Sequence, residues 1–511
     1  MTLYEQFQAI DAPIPADRQG ARRHYGVHPY FTRRPFNVVR QYIQHYSREG
    51  DRILDPFGGS GVSAIEALLS NRIGIQNDIN PLANFIATGI ADLSKGSIHE
   101  YAAALGKVRD RCEQRVLALD DSDDGAVELL LKGLRLPENV PLPANADVQR
   151  YHELFSRRQL AALAIIREAV DDVPNRYARS ALRLAWSATL AKVNRTFLSA
   201  EGRAESRGGS SIFSIYRYKV AAKPVELSPW ATFHERAQNV LAAKEEIDRE
   251  IDYRKRTGGF CGKFEAHNYD IDDLRDRIEP VDYIFTDPPY GGHISYIDLS
   301  TLWNAWNGTL PSQKARQREM IVGGDLDLSE DAYLERLHGS ILTCFDLLKP
   351  KRWLSVVFQH WSPAYFDAIL TAAAEAGSDL RAAISQLGDP IWSMHKKKGK
   401  QSVLAGELIL TFVKTGKPKT VDTKKPFDVE AAISRILDET PNGIVYGEYL
   451  LNRIVVDSWK EGALGSLDID RTDFADIMER QGWSYDNKAH QWRHSNLTSS
   501  PLLGAPQGNL K

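Results

Sequence analysis

The residues with the clearest capacity for chemistry are Asp287-Pro288-Pro289-Tyr290, which close the apolar run Val281-Asp282-Tyr283-Ile284-Phe285-Thr286. A β-rich run ending in a carboxylate, two prolines and an aromatic ring reads as a buried strand that delivers a stiff, polar-tipped loop. Pro288 and Pro289 cannot donate backbone hydrogen bonds and lock φ, so their carbonyls are expected to face outward as fixed acceptors beside the Asp287 carboxylate. Such a group suits a planar substrate that carries an amino group, with the Tyr290 ring lying against it. The plainer alternative is a proline-rich strand exit with a surface tyrosine.

A second candidate lies at Asp55-Pro56-Phe57-Gly58-Gly59-Ser60-Gly61, between a short strand from Asp51 and a helix from Val62. Its glycines permit positive φ and close approach of a ligand to a helix N-terminus. The following strand, Ile73 to Asn77, ends at Asp78, where an acidic residue is well placed for ribose hydroxyls. Upstream, the basic and aromatic stretch Arg22 to Pro35 includes Tyr30, Phe31, Thr32, Arg33 and Arg34. The mixing of arginines with rings predicts a loop held against something, leading into a helix opened by Pro35.

Elements that must position these groups follow from periodicity. Further strands are expected at Lys263 to Asp270, Val281 to Thr286, Trp353 to Phe358, Leu380 to Gln386 and Gly406 to Lys414, with helices between most of them. The last two strands lack an intervening helix. This pattern predicts an α/β fold with a doubly wound, Rossmann-like sheet and an antiparallel hairpin at one edge. Residues 94–262 form a mainly helical insert, within which the aromatic stretch Ile212 to Lys219 reads as a strand beside a basic loop containing Arg207. The hairpin loop holds Lys396, Lys397, Lys398 and Lys400 at the ligand-binding edge of the sheet. These lysines and Arg207 are candidate contacts for a nucleic-acid backbone, against the plainer reading of solvated loops.

The expected organisation is a sheet domain in two parts, 1–93 and 263–416, the insert, a Lys/Pro/Thr-rich linker at 417–426 and a small helical or winged-helix-like unit at 427–494. A disordered tail at 495–511 completes it. Within 511 residues, 43% apolar and 26% charged residues with a formal net charge of -3 describe a globular chain whose nucleic-acid contacts must be local. Cys112, Cys261 and Cys344 match no metal-ligand or disulfide spacing, so no metal is expected. Without a signal-peptide pattern or a membrane-length apolar run, a cytoplasmic location follows, with no membrane partner.

Together, Asp55 to Gly61 and Asp287 to Gly291 resemble the two signature motifs of S-adenosylmethionine-dependent DNA amino-methyltransferases, the adenine-N6 and cytosine-N4 enzymes with a DPPY motif. His28-Pro29-Tyr30-Phe31-Thr32 resembles the family segment that packs on the methionine part of the cofactor. The resemblance covers about Tyr25 to Ala87 and Lys263 to Lys414. It implies that S-adenosyl-L-methionine is bound by Tyr30, Phe31, Thr32, Asp55, Phe57, Gly59 and Gly61, with Asp78 on the ribose and Asp270 on the adenine moiety. Asp287, Pro288, Pro289 and Tyr290 are then catalytic. The implied activity is adenine-N6 methylation of DNA, within a restriction-modification or defence system whose other subunits are encoded separately.

Cytosine-N4 methylation, an RNA methyltransferase of the tRNA guanine-N2 type and a catalytically silent binding module are the alternatives. A carbon-5 cytosine methylase would need a cysteine nucleophile in the loop after the fourth strand, and that loop has none. In the family's usual order, target recognition falls between the third motif and the DPPY motif. Here the long insert precedes Asp270, so it competes for that role with the loop Gly291 to Asp331 and with the C-terminal unit.

Overall fold

A computed structural model describes residues 7–17, 23–198, 209–220, 225–292, 294–387, 406–439, 443–445, 447–469, 471–486 and 491–494. Its centre is a seven-stranded sheet built from β1 (Arg52–Asp55), β2 (Ile73–Asn77), β3 (Lys263–His267), β4 (Val281–Thr286), β5 (Leu348–Phe358), β6 (Ser378–Leu387) and β7 (Gly406–Lys414). The spatial order is β3-β2-β1-β4-β5-β7-β6. Neighbours from β3 to β5 pair in parallel, while β7 pairs antiparallel with both β5 and β6. The expected edge hairpin is therefore present, with its second strand inserted between β5 and β6.

Because successive strand residues face opposite sides, the sheet separates two cores. Ile53, Tyr283, Phe285, Val357 and Ile409 face one core. Leu54, Ile284, Val356, Phe358, Leu408 and Leu410 face the other. The first is covered by the helix Phe36–Tyr46, whose Tyr42 ring lies 5.5 Å from Phe285 and whose Tyr46 ring lies 4.9 Å from Trp353. Helices Ile98–Leu117, Arg157–Asp171, Arg176–Thr189 and Pro229–Thr257 extend the same core.

The second core is covered by helices Glu330–Leu347 and Pro363–Glu375. It continues into helices Val429–Asp438 and Gly447–Glu461 and a small antiparallel sheet of Ile444–Val445, Gln491–His494 and Trp483–Asp486.

One expected element differs. Ile212 to Lys219 is not a strand: only Gly209–Ser210 pairs, with Phe197–Leu198, and Ser211–Ser214 is a helical turn. Tyr218 is fully buried there, with its hydroxyl 2.7 Å from the Leu299 carbonyl and 3.1 Å from the Leu302 amide nitrogen. A tertiary anchor thus overrides the local β preference. Among the described residues no helix is long and apolar enough to cross a membrane.

Candidate active site

Strands β1 to β5 end at one edge, and their exits build the site. At the end of β1, Asp55 is buried and its carboxylate accepts from the Phe57 amide at 3.2 Å, the Ser63 hydroxyl at 2.7 Å and the Thr286 hydroxyl at 2.9 Å. Burial pushes this carboxyl up to about 7; the Ser63 and Thr286 donors oppose the rise, and the Asp287 charge adds to it. Thr286 immediately precedes Asp287, so this bond ties the glycine turn to the DPPY strand.

The turn itself needs glycine at two places. Gly59 has φ of 49° and Gly61 has φ of 90°, and a Cβ on Gly61 would lie 2.5 Å from that of Ala87. The Gly59 amide donates to Asp78 Oδ2 at 2.9 Å, and the Asn80 amide donates to Oδ1 at 2.8 Å. Burial holds the Asp78 carboxyl up to about 6 despite these donors.

The aromatic segment covers the turn. A Cβ on Gly59 would lie 3.2 Å from the Tyr30 ring, and Tyr30 stacks on Tyr296 at 6.4 Å. Phe31 packs among Phe213, Tyr296 and Trp303, while Thr32 Oγ1 lies 3.5 Å from the Tyr296 hydroxyl. Neither following arginine is merely solvated. Arg33 donates to the Ser60 hydroxyl at 2.9 Å and to the His28 carbonyl, fastening the segment to the turn.

At the end of the fully buried β4, Asp287 is held by Arg34, with Nε 2.5 Å from Oδ2 and Nη2 2.9 Å from Oδ1. The same guanidinium donates to the Tyr290 hydroxyl and pairs with Glu407 at the start of β7. Despite burial, the surrounding Asp287, Glu407 and Tyr290 hold the Arg34 pKa well above its ordinary value. Arg34, Asp287 and Glu407 are each partly buried, at 15, 21 and 24% exposure, so the ion pairs are shielded from solvent only in part. Tyr290 packs edge-on against Phe358 with ring centroids 5.1 Å apart. The expectation that both proline carbonyls face outward is corrected at Pro289, whose carbonyl accepts from the buried Tyr333 hydroxyl.

With this geometry in view, known proteins provide a comparison. Residues 12–86 match the model of the DNA methylase family (N6_N4_Mtase). That segment contains Tyr30, Phe31, Thr32, the glycine turn and Asp78, and the chain beyond it supplies Asp287. No curated protein matches the chain. Among solved structures, TrmN from Thermus thermophilus is similar at 13% identity with a TM-score of 0.17, over 36% of this chain and 40% of TrmN. The chain thus spans less than half the length of TrmN.

Of the other expected site residues, Phe57 lies within the matched segment and Asp270 beyond it. Phe57 is half-buried against the second core. Asp270 is buried beyond β3 and caps the helix Ile271–Leu274 through the Asp272 amide. Its Oδ2 lies 2.7 Å from Arg336 and its Oδ1 3.6 Å from Arg318. Arg207, Lys396, Lys397, Lys398 and Lys400 lie outside the described residues.

Sequence reasoning missed Glu407, Tyr333 and Glu319 and left Arg34 without a role. Glu319 is buried, accepts from the Ile297 amide at 2.9 Å, and is pushed up to about 8 by burial. For Arg34 the available signal was the cluster of arginines and rings before Pro35; Glu407, in an ordinary strand pattern, offered none.

Proposed function

We propose that the protein is an S-adenosylmethionine-dependent DNA methyltransferase acting on the exocyclic amino group of adenine (N6). The observation that carries this reading is the 2.9 Å bond from the Thr286 hydroxyl to Asp55, which joins the glycine turn to the DPPY strand across 231 residues of sequence. A cofactor turn and an amine acceptor at adjoining strand ends are what methyl transfer between two bound molecules requires.

The donor set suits the cofactor. Asp55, Asp78 and Glu319 place buried or half-buried carboxyls near the turn, and ionised carboxylates there would be offset by a cationic sulfonium compound. Asp78 would hold the ribose hydroxyls, with Tyr30, Phe31 and Thr32 on the methionine part, Phe57, Gly59 and Gly61 along the turn, and Asp270 toward the adenine moiety. When bound, S-adenosylmethionine supplies an electrophilic methyl group.

An exocyclic amine is a poor nucleophile because its lone pair is delocalised into the ring. Asp287 and the Pro288 carbonyl would accept its two N–H groups, favouring a pyramidal nitrogen and stabilising its developing positive charge. Tyr290 would stack on the base after it leaves the duplex. Lys396, Lys397, Lys398, Lys400 and Arg207 are the proposed phosphate contacts, and residues 94–262 the proposed target-reading insert. Exchanging that insert should change the methylated site; unchanged specificity would remove its role. Modification within a restriction or defence system, with separately encoded subunits, is the biological setting we propose.

Aspartate at position 287 favours adenine, and the same acceptors suit cytosine N4. Nucleoside analysis after incubating the purified chain with labelled S-adenosylmethionine and either DNA or RNA tests this directly. The expected product is N6-methyladenine in DNA. N4-methylcytosine would correct the base, and label in RNA alone would overturn the substrate.

A further inference from the structure

Arg34 joins three groups of the proposed base site that come from distant parts of the chain. Its Nε and Nη2 hold the two Asp287 oxygens at 2.5 and 2.9 Å, Nη2 also reaches the Tyr290 hydroxyl, and Nη1 pairs with Glu407. The Arg34 side chain is only 15% exposed, with its guanidinium carbon 5.5 Å from the Tyr290 ring centroid.

We propose that Arg34 is a positioning residue that fixes the plane of the Asp287 carboxylate and the hydroxyl end of Tyr290, with Glu407 balancing its charge. This rests on reading Asp287 as the acceptor of the substrate amine. A carboxylate offers about four lone-pair sites, and the arginine fork takes one on each oxygen, so capacity remains for an incoming N–H. Two parallel N–H···O bonds from a rigid, planar group remove the rotation that a lone aspartate side chain would have.

The fork is itself held by its neighbours. Arg33 is bonded to Ser60 and the His28 carbonyl, and Pro35 leads directly into the helix Phe36–Tyr46. Charge explains Glu407. One guanidinium between two carboxylates leaves a net negative charge facing an amine that becomes positive during transfer, whereas Arg34 with Asp287 alone would be neutral. The opposite role, a plug displaced by each substrate, would strand two partly buried carboxylates around the vacated position.

The test compares wild type, Arg34→Ala, Arg34→Lys and Glu407→Gln as full chains, using labelled S-adenosylmethionine and unmodified plasmid DNA. Cofactor affinity is measured separately by calorimetry. Arg34→Ala is expected to lower kcat about 100-fold with cofactor affinity unchanged, the loss typical of a misplaced catalytic group. Added guanidinium ion should restore part of that loss. Arg34→Lys keeps the charge without the fork and should remain slow, which decides the matter even if the alanine variant fails to fold. Glu407→Gln should lower kcat and leave KM for DNA in place.

Wild-type or higher kcat in Arg34→Lys overturns the proposal, as does a loss in Arg34→Ala that guanidinium cannot relieve and that is accompanied by lost cofactor binding. A wild type inactive on both DNA and RNA instead refutes the underlying reading of Asp287.

Discussion

Two buried carboxyls, Asp55 and Glu319, and the half-buried Asp78 give the site its pH behaviour. Burial raises Asp55 from 3.8 to about 7, Asp78 from 3.8 to about 6 and Glu319 from 4.5 to about 8. Between its unfolded and folded values each group is more protonated in the folded chain, so rising pH destabilises the cofactor-free fold. The contribution is absent below the unfolded value and complete above the folded one. Asp78→Asn removes one such group. The stability of wild type relative to this variant should therefore fall as pH rises through about 4 to 6, read from denaturant midpoints at each pH. A constant or rising difference would contradict the burial of an ionisable Asp78. A cationic cofactor has the opposite preference, and the affinity of the wild type for S-adenosylmethionine should strengthen over the same interval.

Among the elements, the turn from β1 into the helix Val62–Leu69 is the most demanding. Gly61→Ala would combine a left-handed backbone position with a Cβ forced against Ala87. Equilibrium unfolding should show a loss of about 2–4 kcal/mol, and a variant as stable as wild type would mean that the turn has another shape. This turn, the strand into Asp287 and the β6–β7 hairpin were legible in sequence because each carries a local signature: glycine spacing, an apolar run closed by prolines, a pair of strands without a helix between them. The proposed strand from Ile212 failed for the complementary reason. Its aromatic composition is local, but the bonds that place Tyr218 come from the helix Tyr296–Asn307. Arg34 was visible as part of a basic, aromatic loop, yet its partners lie far along the chain, Asp287 just beyond β4 and Glu407 on β7. Pairings over such separations leave no periodicity for a single sequence to display.

On the scale of the whole molecule, the sheet divides two cores with different additions. The helices within residues 94–262 continue the first core, and the C-terminal helices continue the second. Trp361, just beyond β5, meets Phe474 with ring centroids 6.1 Å apart, and Asn452 donates to the Ser385 hydroxyl on β6 at 3.0 Å. Ile433, Ile436, Leu450 and Ile454 share the core of Leu408 and Leu410. Ending the chain after residue 426 should therefore expose apolar surface, lowering the thermal midpoint and promoting aggregation. An unchanged midpoint and a monodisperse truncated chain would show that the unit contributes little to the core. The account as a whole depends on Asp287 and the glycine turn serving one reaction. Its most direct test compares wild type with Asp287→Ala for N6-methyladenine formed in DNA, alongside calorimetric affinity for S-adenosylmethionine. The predicted result is product from the wild type, none from the variant and equal cofactor binding; N6-methyladenine formed equally by both would contradict it.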